Sequence, residues 1–280
     1  MDVKMNFRIY GLCSLAAVGL YGLPIVFPQH FKSFYRKTDS KVPPELDTHV
    51  RKIAYLMGFL PNQVANLNVF ITKEINSMSF GHLSSPWGAY IGLPRQVLWT
   101  GIDDVMKSTL HKKGLPVDWE SDFGKRLANC ITPSGSQTSF RIAHELAHLQ
   151  SNHLSYYLLI TPLHLLSLFI FLEFGSPYIQ KRFKLTSGAV GIPVLLFWVL
   201  ALCYDLRRTR HKFEFDADNT AASVGRGFAE GGIELFFRQR QVSLLLGNDD
   251  EHSTSTHPSC LDRQKRLQEV MINKYQLTFD

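Results

Sequence analysis

Two long apolar stretches, close together in the chain, constrain its fold more than any other feature. They cover residues 154–174 and 187–203, and a short basic segment separates them. A helix needs about 20 apolar residues to cross a bilayer, and both stretches approach or exceed that length. They therefore predict a transmembrane helical hairpin, with a buried hairpin of a soluble protein as the alternative. Residues 175–177, Gly-Ser-Pro, are predicted to turn the chain between them.

An uncharged stretch near the N-terminus, residues 9–27, predicts a further membrane segment. Its length is near the minimum for a crossing, which is about 17 residues. The short segment before it lacks a cleavage site of the A-x-A type, so we expect an uncleaved anchor rather than a signal peptide. A mitochondrial presequence is the alternative, and Asp2 and the scarcity of arginine disfavour it.

The chain carries a net charge of +6, and its basic residues lie mostly beside the apolar stretches, at 181–184 and 207–212. This placement is typical of charge that flanks a membrane. No nucleic-acid-binding motif accompanies it, so no nucleic acid is expected as a partner. Further basic residues at 32–37 favour an internal side, matrix or cytosol, for the domain that follows. The opposite loop is also basic, which weakens that preference.

Four cysteines, at positions 13, 130, 203 and 260, are spread along the chain without a CxxC pair. This spacing predicts neither a disulfide framework nor a zinc site built from thiolates.

The sequence His144-Glu145-Leu146-Ala147-His148 is an HExxH motif. Residues four apart lie on one face of a helix, so the imidazoles of His144 and His148 can converge on one ion. Zinc takes imidazole nitrogen, keeps a position for water and lowers the pKa of that water to about 7. Glu145, beside the first ligand, can then act as the general base. The motif alone also occurs by chance in ordinary helices.

Two carboxylates at helical spacing, Glu214 and Asp218, follow the apolar hairpin. Two crossings return the chain to the side of the HExxH motif, which makes Glu214 a candidate third zinc ligand. Asp218, one turn on, could accept a hydrogen bond from a ligating histidine and so orient it. The alternative is a solvated acidic start of a helix.

A third cluster, His257-Pro258-Ser259 with Arg263, lies near the C-terminus. A histidine near the metal could stabilise an oxyanion, and Arg263 could bind a carboxylate or the backbone of a substrate. The alternative is an ordinary helix cap with surface charge.

Short elements precede the HExxH motif. A helix is predicted from Pro44, with apolar positions at helical spacing up to residue 57, and strands at 67–72 and 88–93. A polar loop is predicted at 76–85. Ser136 or Thr138 is expected to cap the HExxH helix.

Three motifs in this order resemble the membrane gluzincin peptidases that include the CAAX prenyl proteases and HtpX. The resemblance covers residues 69–267, including the hairpin between the second and third ligands. It implies zinc on His144, His148 and Glu214, with Glu145 as general base and Asp218 supporting a ligand. It also implies that His257 and Arg263 act at the transition state or substrate. Asn76 and residues 88–93 resemble that family's substrate-binding sheet edge.

The resemblance implies an α+β fold: a mostly helical zincin-like metallopeptidase domain with a small antiparallel sheet, an N-terminal anchor helix and a transmembrane hairpin. The predicted divisions are an anchor at 1–30, the first part of the peptidase-like domain at 31–153, the hairpin at 154–206, and the second part of the domain at 207–280. The expected partners are the lipid bilayer and a protein or peptide substrate.

A second resemblance, to the transmembrane protein 177 family, is carried by residues 22–35, 42–46 and 117–119 (GLPIVFPQHFKSFY, VPPEL and VDW). It implies the mitochondrial inner membrane, although the endoplasmic reticulum or another membrane is also consistent with the residues. It further implies a non-proteolytic role in assembly of cytochrome c oxidase subunit II, with respiratory-complex subunits or assembly factors as partners. The intact HExxH motif departs from the vertebrate form of that family. Two hypotheses follow: a zinc metalloendopeptidase, or an assembly factor with an inherited zinc site.

Overall fold

The computed structural model describes residues 23, 27–36, 41–108, 110–112, 115–151, 153–247 and 257–275. The predicted anchor at 9–27 lies almost wholly outside the described residues. The chain divides into two compact units: one contains Asn152–Arg210, and the other contains Pro28–Ser151 with His211–Asp280.

Helices make up most of the described chain, as expected. In chain order they are α1 Pro28–Tyr35, α2 Pro44–Leu56, α3 Pro61–Ala65, α4 Ile102–Met106, α5 Asp122–Ile131, α6 Gly135–Ser151, α7 His153–Ile170, α8 Ser176–Phe183, α9 Ser187–Ser223, α10 Arg226–Leu246 and α11 Cys260–Tyr275. A 3₁₀ turn spans Arg95–Leu98, and a π-helical segment spans Phe171–Gly175. Helix α6 carries the HExxH motif, and α9 carries both the third apolar stretch and Glu214.

The main sheet has three strands, β1 Leu67–Thr72, β2 Met78–Gly81 and β3 Ala89–Pro94, in the order β1-β3-β2. A two-stranded ribbon, β4 His111–Lys112 and β5 Leu115–Pro116, lies outside it. The predicted strand at 67–72 is confirmed, and the predicted strand at 88–93 is confirmed within one residue.

The sheet differs from the prediction in two respects. It is mixed rather than antiparallel, because β1 and β3 run parallel while β2 runs antiparallel to β3. The predicted polar loop at 76–85 contains β2, whose alternation of Met, Ser, Phe and Gly is short but of strand type. Since β3 lies between the other two strands, residues 88–93 are not an open edge; among the described strands, β2 provides one.

Helices α6, α10 and α11 pack around a core that includes Phe140, Leu146, Phe236 and Leu267, all with 2% or less of their surface exposed. Two consecutive glycines on α10 permit the close approach of α6. A Cβ atom on Gly231 would lie 2.3 Å from the backbone oxygen of Ser136, and one on Gly232 would lie 2.6 Å from the Phe140 ring. The N-terminal end of the HExxH helix is therefore fixed by backbone contact.

Among the described residues, two helical stretches are long and apolar enough to cross a membrane: Leu159–Phe183, with a mean hydropathy of 1.6, and Ser187–Ser223, with 2.1. In the most apolar 18-residue segment of each stretch, only 17% and 6% of the residues, respectively, are buried. The core helix of a soluble protein would be mostly buried, so this exposure favours lipid as the surroundings of the hairpin.

The hairpin turns later than predicted. Helical structure continues through Gly175 and Pro177, because Pro177 lies in the first turn of α8, where a missing N–H group breaks no helical hydrogen bond. The chain reverses near Lys184, which adopts a left-handed conformation with φ of 54°. Two polar contacts join α7 to α9: the Trp198 indole donates to Ser167 (2.9 Å), and His164 lies 3.1 Å from Asp205.

Candidate metal centre

The HExxH helix begins with a reciprocal cap at Ser134. The Ser134 hydroxyl accepts a hydrogen bond from the Gln137 N–H, and the Gln137 side chain accepts one from the Ser134 N–H. This capping box replaces the predicted caps at Ser136 and Thr138. The central turns of the helix are buried, so the polar side chains on that face require polar partners.

Three buried side chains converge at the centre of the site: His144, His148 and Glu214. The two Nε2 atoms lie 3.1 Å apart. The Glu214 carboxylate approaches them at 3.6 Å (Oε2 to His144) and 3.4 Å (Oε1 to His148). Within the described residues, this group has ligand atoms that all lie within 4.8 Å of one another. Helix α6 supplies both imidazoles and α9 supplies the carboxylate.

Asp218 fixes the orientation of His144. Its Oδ1 atom lies 2.9 Å from the His144 Nδ1 atom. A carboxylate can only accept a hydrogen bond, so Nδ1 carries the proton, and the Nε2 lone pair is left for an ion. Asp218 is one turn after Glu214 on the same helix and is 1% exposed. It therefore lies where it can support His144 as a ligand.

Arg263, on α11, is engaged with the carboxylates rather than open to a substrate. Its guanidinium donates two hydrogen bonds of 2.7 Å to Asp218, and its Nη1 atom lies 3.2 Å from the Glu214 Oε2 atom. The Phe236 ring lies beneath it, with 4.2 Å between the guanidinium carbon and the ring centroid. These contacts hold both carboxylates in place.

His257 precedes α11 and approaches the same centre from a more exposed position. Its Nδ1 atom lies 3.2 Å from the Glu214 Oε2 atom, and 48% of its side chain is exposed. Ser259 caps α11, since its hydroxyl accepts a hydrogen bond from the Asp262 N–H. The helix cap and the histidine at the site, considered as alternatives from the sequence, are both present.

Glu145 is hydrogen-bonded to the residue that precedes strand β2. The Ser77 hydroxyl donates a hydrogen bond of 2.6 Å to its Oε1 atom. Ser77 directly precedes the edge strand β2, so the candidate general base is tied to that strand. Sequence reasoning missed Ser77 because it lies in the stretch interpreted as a loop; the short alternating segment after it was the available signal.

The electrostatics of the site favour ionised carboxylates. Burial raises the pKa of Glu214, but contacts with His148 and His257 and the positive charge of Arg263 hold it well below its ordinary value. Burial likewise raises the pKa of Asp218, and Arg263 outweighs that effect and lowers it. Burial lowers the pKa of His148, but the Glu214 carboxylate outweighs it, so this pKa is raised in the metal-free site.

The donor set fits zinc. Tetrahedral zinc with bonds of about 2.0–2.1 Å places its ligand atoms about 3.4 Å apart. The three separations of 3.1, 3.4 and 3.6 Å lie close to that value. Two imidazoles and one carboxylate are also the ligand set of many catalytic zinc sites, which keep a further position for water.

Comparisons with known proteins agree with this geometry. A profile of peptidase family M48 matches residues 48–271. The chain is similar to transmembrane protein 177 of Homo sapiens (24% identity over 265 residues, 86% of this chain and 81% of that protein), Danio rerio (23% over 241 residues, 81% and 76%) and Xenopus laevis (24% over 266 residues, 86% and 82%). No solved structure matches. Because the family profile spans most of the chain, the protein belongs to peptidase family M48.

Proposed function

We propose that this protein is a zinc-dependent membrane metalloendopeptidase, a hydrolase of peptide bonds. The observation that carries the proposal is the triangle of His144, His148 and Glu214 donor atoms, with Glu145 adjacent on the same helix. Residues from three distant parts of the chain meet there, with His257 and Arg263 completing the group.

His144, His148 and Glu214 would hold the ion. Bound zinc would polarise the peptide carbonyl and make water acidic enough to attack near neutral pH. Glu145 takes the proton from the attacking water and returns it to the leaving amine. The Ser77 hydroxyl orients the Glu145 carboxylate for this task.

The remaining polar residues have distinct roles. The half-exposed imidazole of His257 can donate a hydrogen bond to the oxyanion that develops on the substrate. Asp218 keeps His144 in the required tautomer, and Arg263 keeps Asp218 and Glu214 ionised and in place. Arg263 therefore acts through its neighbours rather than by touching the substrate.

A peptide substrate would bind as an added strand on β2. Among the described strands, β2 pairs on one side only, with β3, and its other edge is free to pair. Ser77 begins this edge and contacts Glu145, so an added strand would pass beside the general base. The substrate edge expected at residues 88–93 is thus reassigned to residues 78–81.

The surroundings of the protein follow from the hairpin. We infer that Leu159–Phe183 and Ser187–Ser223 cross a lipid bilayer, since their apolar side chains are largely exposed. We propose the mitochondrial inner membrane as that bilayer, because the resemblance to the transmembrane protein 177 family implies it. Protein or peptide substrates would then be membrane proteins or their unfolded segments.

Metal analysis combined with three variants tests the peptidase. Purified protein should contain zinc, which His144→Ala and His148→Ala should abolish. Glu145→Gln should keep the zinc and stop cleavage of an unfolded membrane substrate, because only the base is lost. If Glu145→Gln retains every biological activity of the protein, catalysis is not its function.

A second candidate is a non-catalytic scaffold for assembly of cytochrome c oxidase, with an inherited zinc site. The observation in its favour is the similarity to transmembrane protein 177, which extends over more than four fifths of the human protein. Rescue of an oxidase-assembly defect by Glu145→Gln, together with co-purification of oxidase subunits, would select the scaffold. Failure of that variant to rescue would select the peptidase.

A further inference from the structure

Arg141 lies on the same stripe of the HExxH helix as the metal-facing residues. At about 100° per residue, it is about 20° from His148 and about 40° from Glu145 around the helix axis. It lies one turn before Glu145, at the N-terminal end of the stripe. Its side chain thus projects from the face that carries the candidate general base and a candidate ligand.

The Arg141 guanidinium has no carboxylate partner among the described residues. In the part of the chain that the structure describes, no hydrogen bond or ion pair to it is found, although the residue is partly buried. Arg263, the other arginine of the site, is held by both Asp218 and Glu214. Glu145, the nearest carboxylate along the stripe, accepts its hydrogen bond from Ser77 instead.

An unpaired and partly buried guanidinium lowers the stability of a folded protein. Burial lowers the pKa of Arg141 to about 10, and the Glu145 charge only partly offsets that effect. Apolar residues of similar size usually cost less in such a position. With a divalent ion in place, moreover, the ion, Arg141 and Arg263 carry one positive charge more than the three carboxylates Glu145, Glu214 and Asp218 can balance.

We propose that Arg141 binds a carboxylate of the peptide substrate and so determines specificity. This inference rests on the proposed peptidase function and names its substrate class. Guanidinium and carboxylate groups pair through two parallel hydrogen bonds, so a carboxylate is the partner that best matches an unpaired arginine. One helical turn spans about 5.4 Å and an extended residue about 3.3–3.6 Å, so the carboxylate lies within about two residues of the scissile bond. It belongs either to an acidic side chain or to the C-terminus of the substrate.

Peptide binding to the zinc-loaded full chain tests this assignment without requiring turnover. The Glu145→Gln protein in detergent is titrated against fluorescein-labelled Ala-Leu-Ala-Leu-Ala-Leu with a C-terminal carboxylate, and against the same peptide as an amide. A second pair of amidated peptides carries a central Glu or a central Gln. Fluorescence anisotropy should show that the carboxylate member of one pair binds about tenfold more tightly than its neutral partner. If the first pair differs in affinity, the carboxylate is that of the substrate's C-terminus; if the second pair differs, it is that of an acidic side chain.

Substitution of Arg141 should then remove the discrimination. In the Glu145→Gln background, Arg141→Met should bind both members of each pair equally, and Arg141→Lys should retain part of the preference. Arg126→Met, at an exposed arginine of α5, is the matched control and should leave the preference unchanged. The melting temperature of the ligand-free Arg141→Met protein should not fall, since an unpaired charge is removed.

Several outcomes would overturn the assignment: no preference in either pair, no binding of any peptide, an undiminished preference in Arg141→Met, or destabilisation of that variant. The peptidase proposal fails differently, through absent zinc or a Glu145→Gln protein with full activity. The two failures are therefore distinguishable.

Discussion

The buried pair of Asp218 and Arg263 should be among the most strongly coupled pairs in the metal-free protein. We consider three variants: Asp218→Asn, Arg263→Met and the double substitution. Asparagine keeps an oxygen that accepts from His144, so Asp218→Asn removes charge while preserving that hydrogen bond. Each single variant leaves a buried charge without its main partner.

The structure sets the size of the effect. Side-chain exposure is 2% for Asp218 and 11% for Arg263, and two hydrogen bonds of 2.7 Å join them. Breaking a buried pair from one side costs about 3–5 kcal/mol in free energy of unfolding. Asp218→Asn should lie near 3 kcal/mol, because Arg263 keeps Glu214 at 3.2 Å. The double variant should cost less than the sum of the two, with a coupling energy of about 2–3 kcal/mol.

Urea unfolding of the four proteins in mild detergent, with a chelator present, measures this coupling. The chelator matters because loss of metal affinity would otherwise add to the result. Arg226 and Glu230 form a matched control, an ion pair of 2.7 Å whose side chains are 60% and 49% exposed. Its coupling should be about 0.5 kcal/mol or less. Additive costs at Asp218 and Arg263, or a coupling no larger than that of the control, would refute the reasoning.

Three further predictions concern packing, pH and the general base. Gly231→Ala should cost about 1–3 kcal/mol in urea unfolding, because its Cβ atom would meet backbone of Ser136, whereas Gly227→Ala, in open space, should cost nothing. The pKa of Asp218 is lowered by folding, so its contribution to stability is complete above pH about 3.8 and is lost below it; metal-free wild type should lose more stability in acid than Asp218→Asn. Ser77→Ala should lower kcat while zinc content stays unchanged, since only the orientation of Glu145 is affected; equal kcat would exclude that role for Ser77.

Local periodicity predicted much of this structure, because it reflects interactions close in the chain. The spacing of His144 and His148 needs only a helix to bring the imidazoles together, and the helix forms as expected. The apolar stretches at 154–174 and 187–203 give helices for the same reason. The strand at 67–72 was similarly visible from its β-branched and apolar residues.

Features that depend on tertiary packing were not visible in the sequence. Strand β2, Met78–Gly81, is too short for its pattern to outweigh the polar residues around it, and its place at the edge depends on β3 inserting between β1 and β2. The contact of Ser77 with Glu145 joins residues 68 positions apart. The pairing of Arg263 with Asp218 likewise depends on how α11 packs, so the sequence could not show it.

The metal content of the Glu214→Gln variant tests the central claim most directly. Glutamine has nearly the same size as glutamate but is a much weaker ligand for zinc. After dialysis against buffer without zinc, plasma mass spectrometry should find one zinc ion per wild-type chain. The variant should retain at least tenfold less, because its third ligand is lost. Equal zinc in both proteins would show that Glu214 does not share an ion with His144 and His148, and would contradict the account.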